Sequence, residues 1–273
     1  MDHPGPDVRP ETVVGRRPVL EALRSGRPLH RILLSLSAHG PVVRDIVHQA
    51  RSRGVVVQTV DERRLRQLAG ALPHQGVVAL VAARPPATVD QILARARERN
   101  EPPLVVVLDG VQDPLNLGAI IRTAEGAGAH GVIIPRRRAA GLTPAVARAS
   151  AGALEYLPVA QVTNLVRCLS DLKAAGLWVV GADPQASDLY HQARLVPPLA
   201  LVLGGEERGI SRLVREHCDQ LVRLPMRGRV QSLNVSAAAA VLLYEVVRQA
   251  SLTRPAREGR AAASGRQARA PFP

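Results

Sequence analysis

Two short apolar runs, Leu199–Leu203 and Leu221–Leu224, restrict most what this chain can become. Each is too short for a helix and is bounded by Gly or Pro, as buried strands are. Each leads at once into a glycine-bearing loop, Gly204-Gly205-Glu206-Glu207-Arg208-Gly209 after the first and Pro225-Met226-Arg227-Gly228 after the second. Such runs alternate with helix-like ones along the chain, which implies an α/β fold. Ligands on α/β sheets bind where loops leave the carboxyl ends of strands, and glycine lets backbone approach them closely. Asn234 then stands at the N-cap position of an Ala/Val/Leu-rich helix whose free N–H groups suit a carboxylate. Two adjacent strand ends and a helix start therefore predict a pocket.

The 273 residues exceed a typical single domain, so two are expected. Residues 11–82 read as a small α/β/α sandwich. Its elements are a short helix after Arg17-Pro18, a strand Arg31–Leu36, a helix Pro41–Arg53 stopped by Gly54, a strand Val55–Val60, a helix Asp61–Leu68 and a strand Val77–Val81. His74 and Gln75 precede the last strand and fit a turn or an RNA contact equally. Residues 83–103 read as a linker, with Pro85-Pro86 and Pro102-Pro103 bracketing a charged helical segment, Val89–Arg99. Residues 104–250 form the second domain. It opens with a strand, Leu104–Leu108, and a helix whose Leu117, Ile120, Ile121 and Ala124 make an apolar stripe. Arg122 lies off that stripe. Helices over Thr143–Ala153 and Asn164–Ala175 and a strand at Trp178–Gly181 follow. Residues 251–273 hold five arginines and little to bury, and read as a disordered basic tail.

Several function classes can be set aside. Gly126-Ala127-Gly128-Ala129-His130-Gly131 matches G-x-G-x-x-G, but a dinucleotide loop must follow a strand and open a helix. Here the glycines close a helix and open the strand Gly131–Ile134, so a Rossmann oxidoreductase is disfavoured. One Trp, three Tyr and one Phe are too few for base-stacking platforms. Two distant cysteines, Cys168 and Cys218, make neither a disulfide framework nor a metal site, and no metal is expected. The start MDHPGPDVRP is no signal peptide and no uninterrupted run of 18 apolar residues occurs. A soluble cytoplasmic protein with no membrane partner is expected. The net charge of +13, carried almost entirely by arginine, favours a phosphate-rich partner, with a coding bias toward arginine as the alternative. Arg136-Arg137-Arg138 fits a phosphate contact or a solvated loop.

Three stretches together carry a resemblance. They are Asp113 to Ala124 (DPLNLGAIIRTA), Leu203 to Ile210 (LGGEERGI), and Leu224-Pro225-Met226 through Ser232-Leu233-Asn234-Val235-Ser236. In this order they resemble the SpoU–TrmH family of RNA 2′-O-ribose methyltransferases, within the SPOUT superfamily. The first domain is similar to the ribosomal-protein-like RNA-binding domain of the family's 23S rRNA guanosine-2′-O-methyltransferases. One departure is Glu207-Arg208, where relatives more often carry Gly and an acidic or small residue.

The resemblance implies a C-terminal SPOUT α/β domain with a deep trefoil knot, and a homodimer whose active site borrows residues across the interface. It implies S-adenosylmethionine held by Leu203, Gly204, Gly205, Leu224, Met226 and Leu233. The implied catalytic set is Arg122, Asn116, Glu206, Ser232 and Asn234. In the family an arginine matching Arg122 is assigned to removal of the 2′-hydroxyl proton or to orienting the ribose and its phosphate. Because arginine is a poor base, Arg122 is read as phosphate clamp and proton-path organiser, with Asn116 and Glu206 fixing it and Ser232 and Asn234 completing the site. The implied activity is methylation of an RNA ribose, a large-subunit rRNA guanosine first, another rRNA nucleotide or a tRNA otherwise. A catalytically inactive RNA-binding protein is the reading of another class.

Overall fold

The computed structural model describes residues 11–82 and 86–253; the basic tail beyond Thr253 lies outside the described residues. The first domain comprises β1 (Glu11–Val14), α1 (Arg16–Arg24), β2 (Leu29–Ser35), α2 (Pro41–Ser52), β3 (Val56–Val60), α3 (Glu62–Ala69) and β4 (Val77–Val81). Its sheet has the order β1-β4-β2-β3, antiparallel except for the β2–β3 pair. Side chains alternate across the strands, so Ile32 and Val77 meet α1 and α2 on one face while Leu33 and Val78 meet Leu65 and Ala69 of α3 on the other. The α/β/α sandwich is thus as expected, with one addition. β1 has only four residues and no alternation to mark it, and it exists as an edge strand because β4 offers a free side. Leu36, expected to end β2, leaves the sheet and is 84% exposed.

The second domain follows with α4 (Val89–Glu98), β5 (Leu104–Asp109), α5 (Pro114–Gly126), β6 (Gly131–Pro135), α6 (Pro144–Ala149), β7 (Val159–Val162), α7 (Leu165–Ala174), β8 (Trp178–Ala182), β9 (Asp188–Leu189), β10 (Leu199–Gly204), α8 (Arg212–Glu216), β11 (Gln220–Arg223) and α9 (Val235–Thr253). All seven strands are parallel, in the order β7-β6-β5-β10-β8-β11-β9. A parallel sheet must be covered on both faces, which is why its strands read as unbroken apolar runs. Leu104, Val106, Leu108, Leu199, Leu201 and Leu203 pack with α5 and α9, while Val105, Val107, Ala200 and Val202 pack with α4, α7 and α8.

Several expectations need correction. Within the expected 83–103 linker, the described residues 86–103 are not a free tether, because Ile92 of α4 is fully buried in the second domain's core beside Val105, Val107 and Ile133. Thr143–Ala153 is not one helix. α6 stops at Ala149, the chain turns through Gly152 in the left-handed region, and a short 3-10 helix spans Ala153–Glu155. β7, β9 and α8 are too short to show a period and went unpredicted. α9 runs to Thr253, three residues into the stretch expected to be tail. Val235–Leu252 of α9 is long and apolar enough to cross a membrane by length and composition, yet Ala239, Leu242, Leu243 and Val246 form a buried stripe on one face of it, against α5. Gly126–Gly131 is indeed a helix end and strand start.

The two domains are docked by polar contacts. The Arg27 guanidinium, almost wholly buried, meets Glu155 of the second domain at 2.9 Å and also pairs with Glu11. The Tyr156 hydroxyl donates to Glu21 at 2.7 Å, and burial with that contact pushes its pKa up to about 12.

Two outcomes are expected. Ile92→Ala should lower the stability of the second domain by about 2–5 kcal/mol, the range for a truncated core side chain, as read by denaturant titration. A flexible linker would give no such loss. His130 is buried, accepts from the Leu104 N–H at Nδ1 (3.0 Å) and lies 3.3 Å from Glu101 at Nε2. Burial holds its pKa below the ordinary 6.5. The unfolded chain therefore binds the proton more readily, and the stability from neutral His130 is complete above about pH 6.5 and falls as the pH drops below it. Melts at pH values on either side of that point should show His130→Gln losing less stability on acidification than the wild type.

Candidate active site

Three strand ends and one helix start enclose a cavity of about 410 Å³. β10 supplies Leu203 and, just beyond it, Gly204, Gly205 and Glu206; β11 leads to Leu224 and Met226; the approach to α9 supplies Ser232, Leu233 and Asn234. All six residues expected to hold the cofactor line this one cavity. The sequence places β10 and β11 side by side, but β8 lies between them. Its end contributes Ala182, Asp183 and Pro184 to the cavity, and no site residue was predicted there. The signal was available, since Asp-Pro directly follows a strand and belongs to the same family of loops at carboxyl ends. Asp183 is buried, its Oδ2 lying 2.6 Å from Arg215, while its Oδ1 accepts from the Gln185 N–H at 2.8 Å.

The glycines matter for a reason other than ligand approach. A Cβ on Gly204 would lie 2.0 Å from the Gly209 carbonyl carbon, and one on Gly205 would lie 2.2 Å from the Gly110 oxygen. The loop after β10 is folded so tightly on itself and on the loop after β5 that no side chain fits. Backbone bonds close the crossing: the Gly205 N–H donates to the Asp109 carbonyl at 2.8 Å and the Gly209 N–H to the Gly205 carbonyl at 2.9 Å. The Asp109 carboxylate also accepts from the Ser211 N–H at 2.8 Å.

Above this crossing the three motifs meet. The Asn116 side-chain amide donates to the Glu206 carboxylate at 2.5 Å, and its oxygen accepts from the Asn234 amide at 3.1 Å. The Asn234 oxygen in turn accepts from the Ser236 N–H at 2.8 Å and from its hydroxyl at 2.6 Å. Asn234 thus caps α9 as expected, but in doing so occupies one of the N–H groups proposed for a ligand carboxylate. Asp113 and Pro114 start α5 in a matching way, with the Asp113 side chain accepting from the Leu115 N–H at 3.0 Å.

Ser232 lies on the cavity wall outside this hydrogen-bonded chain. Arg122 is elsewhere, so the expectation that Asn116 and Glu206 fix it is not met. Six residues along α5 carry it about 9 Å down the axis and roughly 240° around it from Asn116. It is exposed and lines a different cavity, between the two domains. Among the described residues no three His, Cys, Asp or Glu side chains group as a metal site would need.

The residues present fit a nucleoside-sized ligand with an apolar body and charged ends. A pocket of this volume is in the range of small-molecule sites. Leu203, Leu224, Met226 and Leu233 offer an apolar wall, and Glu206 offers a carboxylate whose orientation Asn116 holds.

Comparison with known proteins gives the same picture. Residues 103–244 match the SpoU rRNA Methylase family, and residues 12–87 match the family described as RNA 2′-O ribose methyltransferase substrate binding. A Bacillus subtilis protein named "Putative TrmH family tRNA/rRNA methyltransferase" is 46% identical over 237 residues, 87% of this chain and 95% of that protein. The SpoU methyltransferase AviRb of Streptomyces viridochromogenes, solved in complex with AdoMet, is 30% identical with a TM-score of 0.73, over 89% of this chain and 90% of its own. An AdoMet-bound rRNA methyltransferase of Sinorhizobium meliloti is 28% identical with a TM-score of 0.71, over 88% of this chain and 87% of its own. The likeness runs through both domains, and the second has the SPOUT fold. This chain belongs to the SpoU rRNA methylase family and is an S-adenosylmethionine-dependent RNA 2′-O-methyltransferase.

Proposed function

We propose that the enzyme methylates the ribose 2′-oxygen of a guanosine in large-subunit (23S) rRNA, acting as a cytoplasmic homodimer. The observation that carries the rRNA reading is the match, over both domains, to a protein named as an rRNA methyltransferase. A substrate-binding domain docked rigidly by Arg27 and Tyr156 supports it, since it extends the RNA-facing surface well beyond the cofactor cavity. The 46% identical relative named for both tRNA and rRNA makes tRNA the second reading.

S-adenosylmethionine, when bound, supplies an electrophilic methyl group on a positively charged sulfur. The apolar wall of Leu203, Leu224, Met226 and Leu233 suits adenine and keeps the site dry, which favours loss of charge as a cation meets an oxygen nucleophile. Glu206, oriented by Asn116 on the cavity wall, would offer a carboxylate to the positive groups of a bound cofactor. Ser232 and Asn234 stand where the target ribose would enter. Arg122 suits the role of phosphate clamp and proton-path organiser. An arginine is a poor base in its own right because its pKa exceeds about 12. Its place outside the cofactor cavity favours a shared site, in which Arg122 of a second copy completes the cavity of the first. Val241, Tyr244 and Val247, apolar and exposed on α9, suit such packing. The trefoil knot belongs to the same reading, at the crossing of the loops around Gly110, Gly205 and Gly209.

Mapping 2′-O-methyl groups in rRNA and tRNA from cells with and without the gene tests the substrate. Loss of one methylated guanosine in large-subunit rRNA is expected; loss of a tRNA methyl group with rRNA intact would refute the rRNA reading. Arg122→Ala should slow single-turnover methyl transfer roughly 100-fold, as misplacing a substrate does. Arg122→Lys should also be slow, because lysine keeps the charge but loses the planar fork. Cofactor affinity by calorimetry should be unchanged in both. Wild-type rates in Arg122→Ala would reduce this arginine to ordinary surface.

A further inference from the structure

The cleft that holds Arg122 is a second cavity, about 380 Å³, whose opposite wall is the first domain. α1 presents Arg17, Leu20, Glu21 and Arg24 to it, and α5 presents Arg122 and Glu125. The charges in this cleft are unevenly satisfied. Glu21 pairs with Arg24 at 2.9 Å and accepts from the Tyr156 hydroxyl. Glu125 lies close enough to act electrostatically on Arg95 and Tyr156. Arg17 and Arg122 have no hydrogen-bond or ion-pair partner among the described residues, and both are exposed. Two unpaired guanidinium groups from different domains therefore open into one cavity.

The walls that carry them are held in place. A Cβ on Gly152 would lie 2.5 Å from Glu21 Cγ, so the turn after α6 lies directly against α1. The buried Arg27–Glu155 pair fixes the domains a short distance away. Like charges lining one cavity repel less when an anion lies between them, and guanidinium forks suit a phosphate oxygen pair.

We propose that Arg17 and Arg122 form a single anion site across the two domains that takes a backbone phosphate of the substrate RNA beside the target ribose. The first domain then contributes directly to positioning the reacting nucleotide as well as to recruiting RNA. This rests on the role given above to Arg122.

The test uses the full chain, with in-vitro transcripts of large-subunit rRNA and of tRNA as probes, titrated over a salt series and assayed for single-turnover transfer. Arg17→Ala should weaken binding of the accepted transcript roughly tenfold at low salt and lower the slope of log affinity against log salt by about one, the signature of one lost phosphate contact. Cofactor affinity and melting temperature should stay at wild-type values, because this arginine has no partner in the protein. Arg17→Lys should restore the salt slope. Combined with Arg122→Ala, Arg17→Ala should cost less than the product of the two single effects, since both grip one phosphate. Arg63→Ala, on α3 at the other face of the first sheet, serves as the control for general surface charge. An Arg17→Ala protein that behaves like Arg63→Ala, or whose effect multiplies independently with that of Arg122→Ala, would overturn the shared site. Slow transfer in Arg122→Ala with normal Arg17→Ala sinks this inference alone, whereas normal transfer in Arg122→Ala removes the role on which it rests.

Discussion

The loops that leave β5 and β10 pass one another without room for a single methyl group, and the cofactor cavity depends on that contact. β5 and β10 are hydrogen-bonded neighbours from Leu104–Leu199 to Asp109–Gly204, so their ends emerge side by side. A parallel strand pair would ordinarily let such loops diverge toward their helices. Here the Gly205 N–H is held by the Asp109 carbonyl, and the Gly204 position is closed by the backbone of Gly209. The consequence is geometric. With the loops pinned, Asn116 at the start of α5 is brought against Glu206, and the same amide reaches Asn234 at the start of α9. Three segments far apart in sequence share one hydrogen-bonded chain because two glycines carry no side chain.

That arrangement divides labour along α5. Its first turn belongs to the cofactor cavity through Asn116, and its third faces the cleft between the domains through Arg122. A helix is stiff over this length, so the two functions are held at a fixed separation. A carboxylate, Glu206, then lines the first cavity, while two guanidinium groups unpaired among the described residues, Arg17 and Arg122, line the second.

Docking of the first domain serves the same end. Its interface includes a buried Arg27–Glu155 pair and a Tyr156–Glu21 hydrogen bond. Removing one partner of a buried pair is costly because it strands the other charge, so such contacts specify orientation strongly. Orientation is what a cleft lined by both domains requires.

The α/β class, the two-domain layout, the longer elements and two of the loops that line the cavity were legible in the sequence. Buried parallel strands show as unbroken apolar runs, and loops at their carboxyl ends show as glycine-bearing breaks, so the loops at Gly204-Gly205 and Pro225-Met226 stand out locally. The set Leu203, Gly204, Gly205, Leu224, Met226 and Leu233, by contrast, came from the family resemblance. Short elements such as β1, β7, β9 and α8 carry too few residues for a period, and only pairing with a neighbour makes them regular. The insertion of β8 between β10 and β11, and with it the place of Asp183, depends on strand order, which no local pattern encodes. The burial of Ile92 likewise depends on which face of the sheet α4 covers. Arg122 shows the limit most clearly. Its motif identifies it, but which cavity it enters is decided by the turn of α5 and by the position of α1, more than a hundred residues earlier in the chain. Local sequence sets residue chemistry and secondary structure through short-range sterics and burial; the partner of each exposed charge is set by long-range packing, and only the tertiary structure decides it.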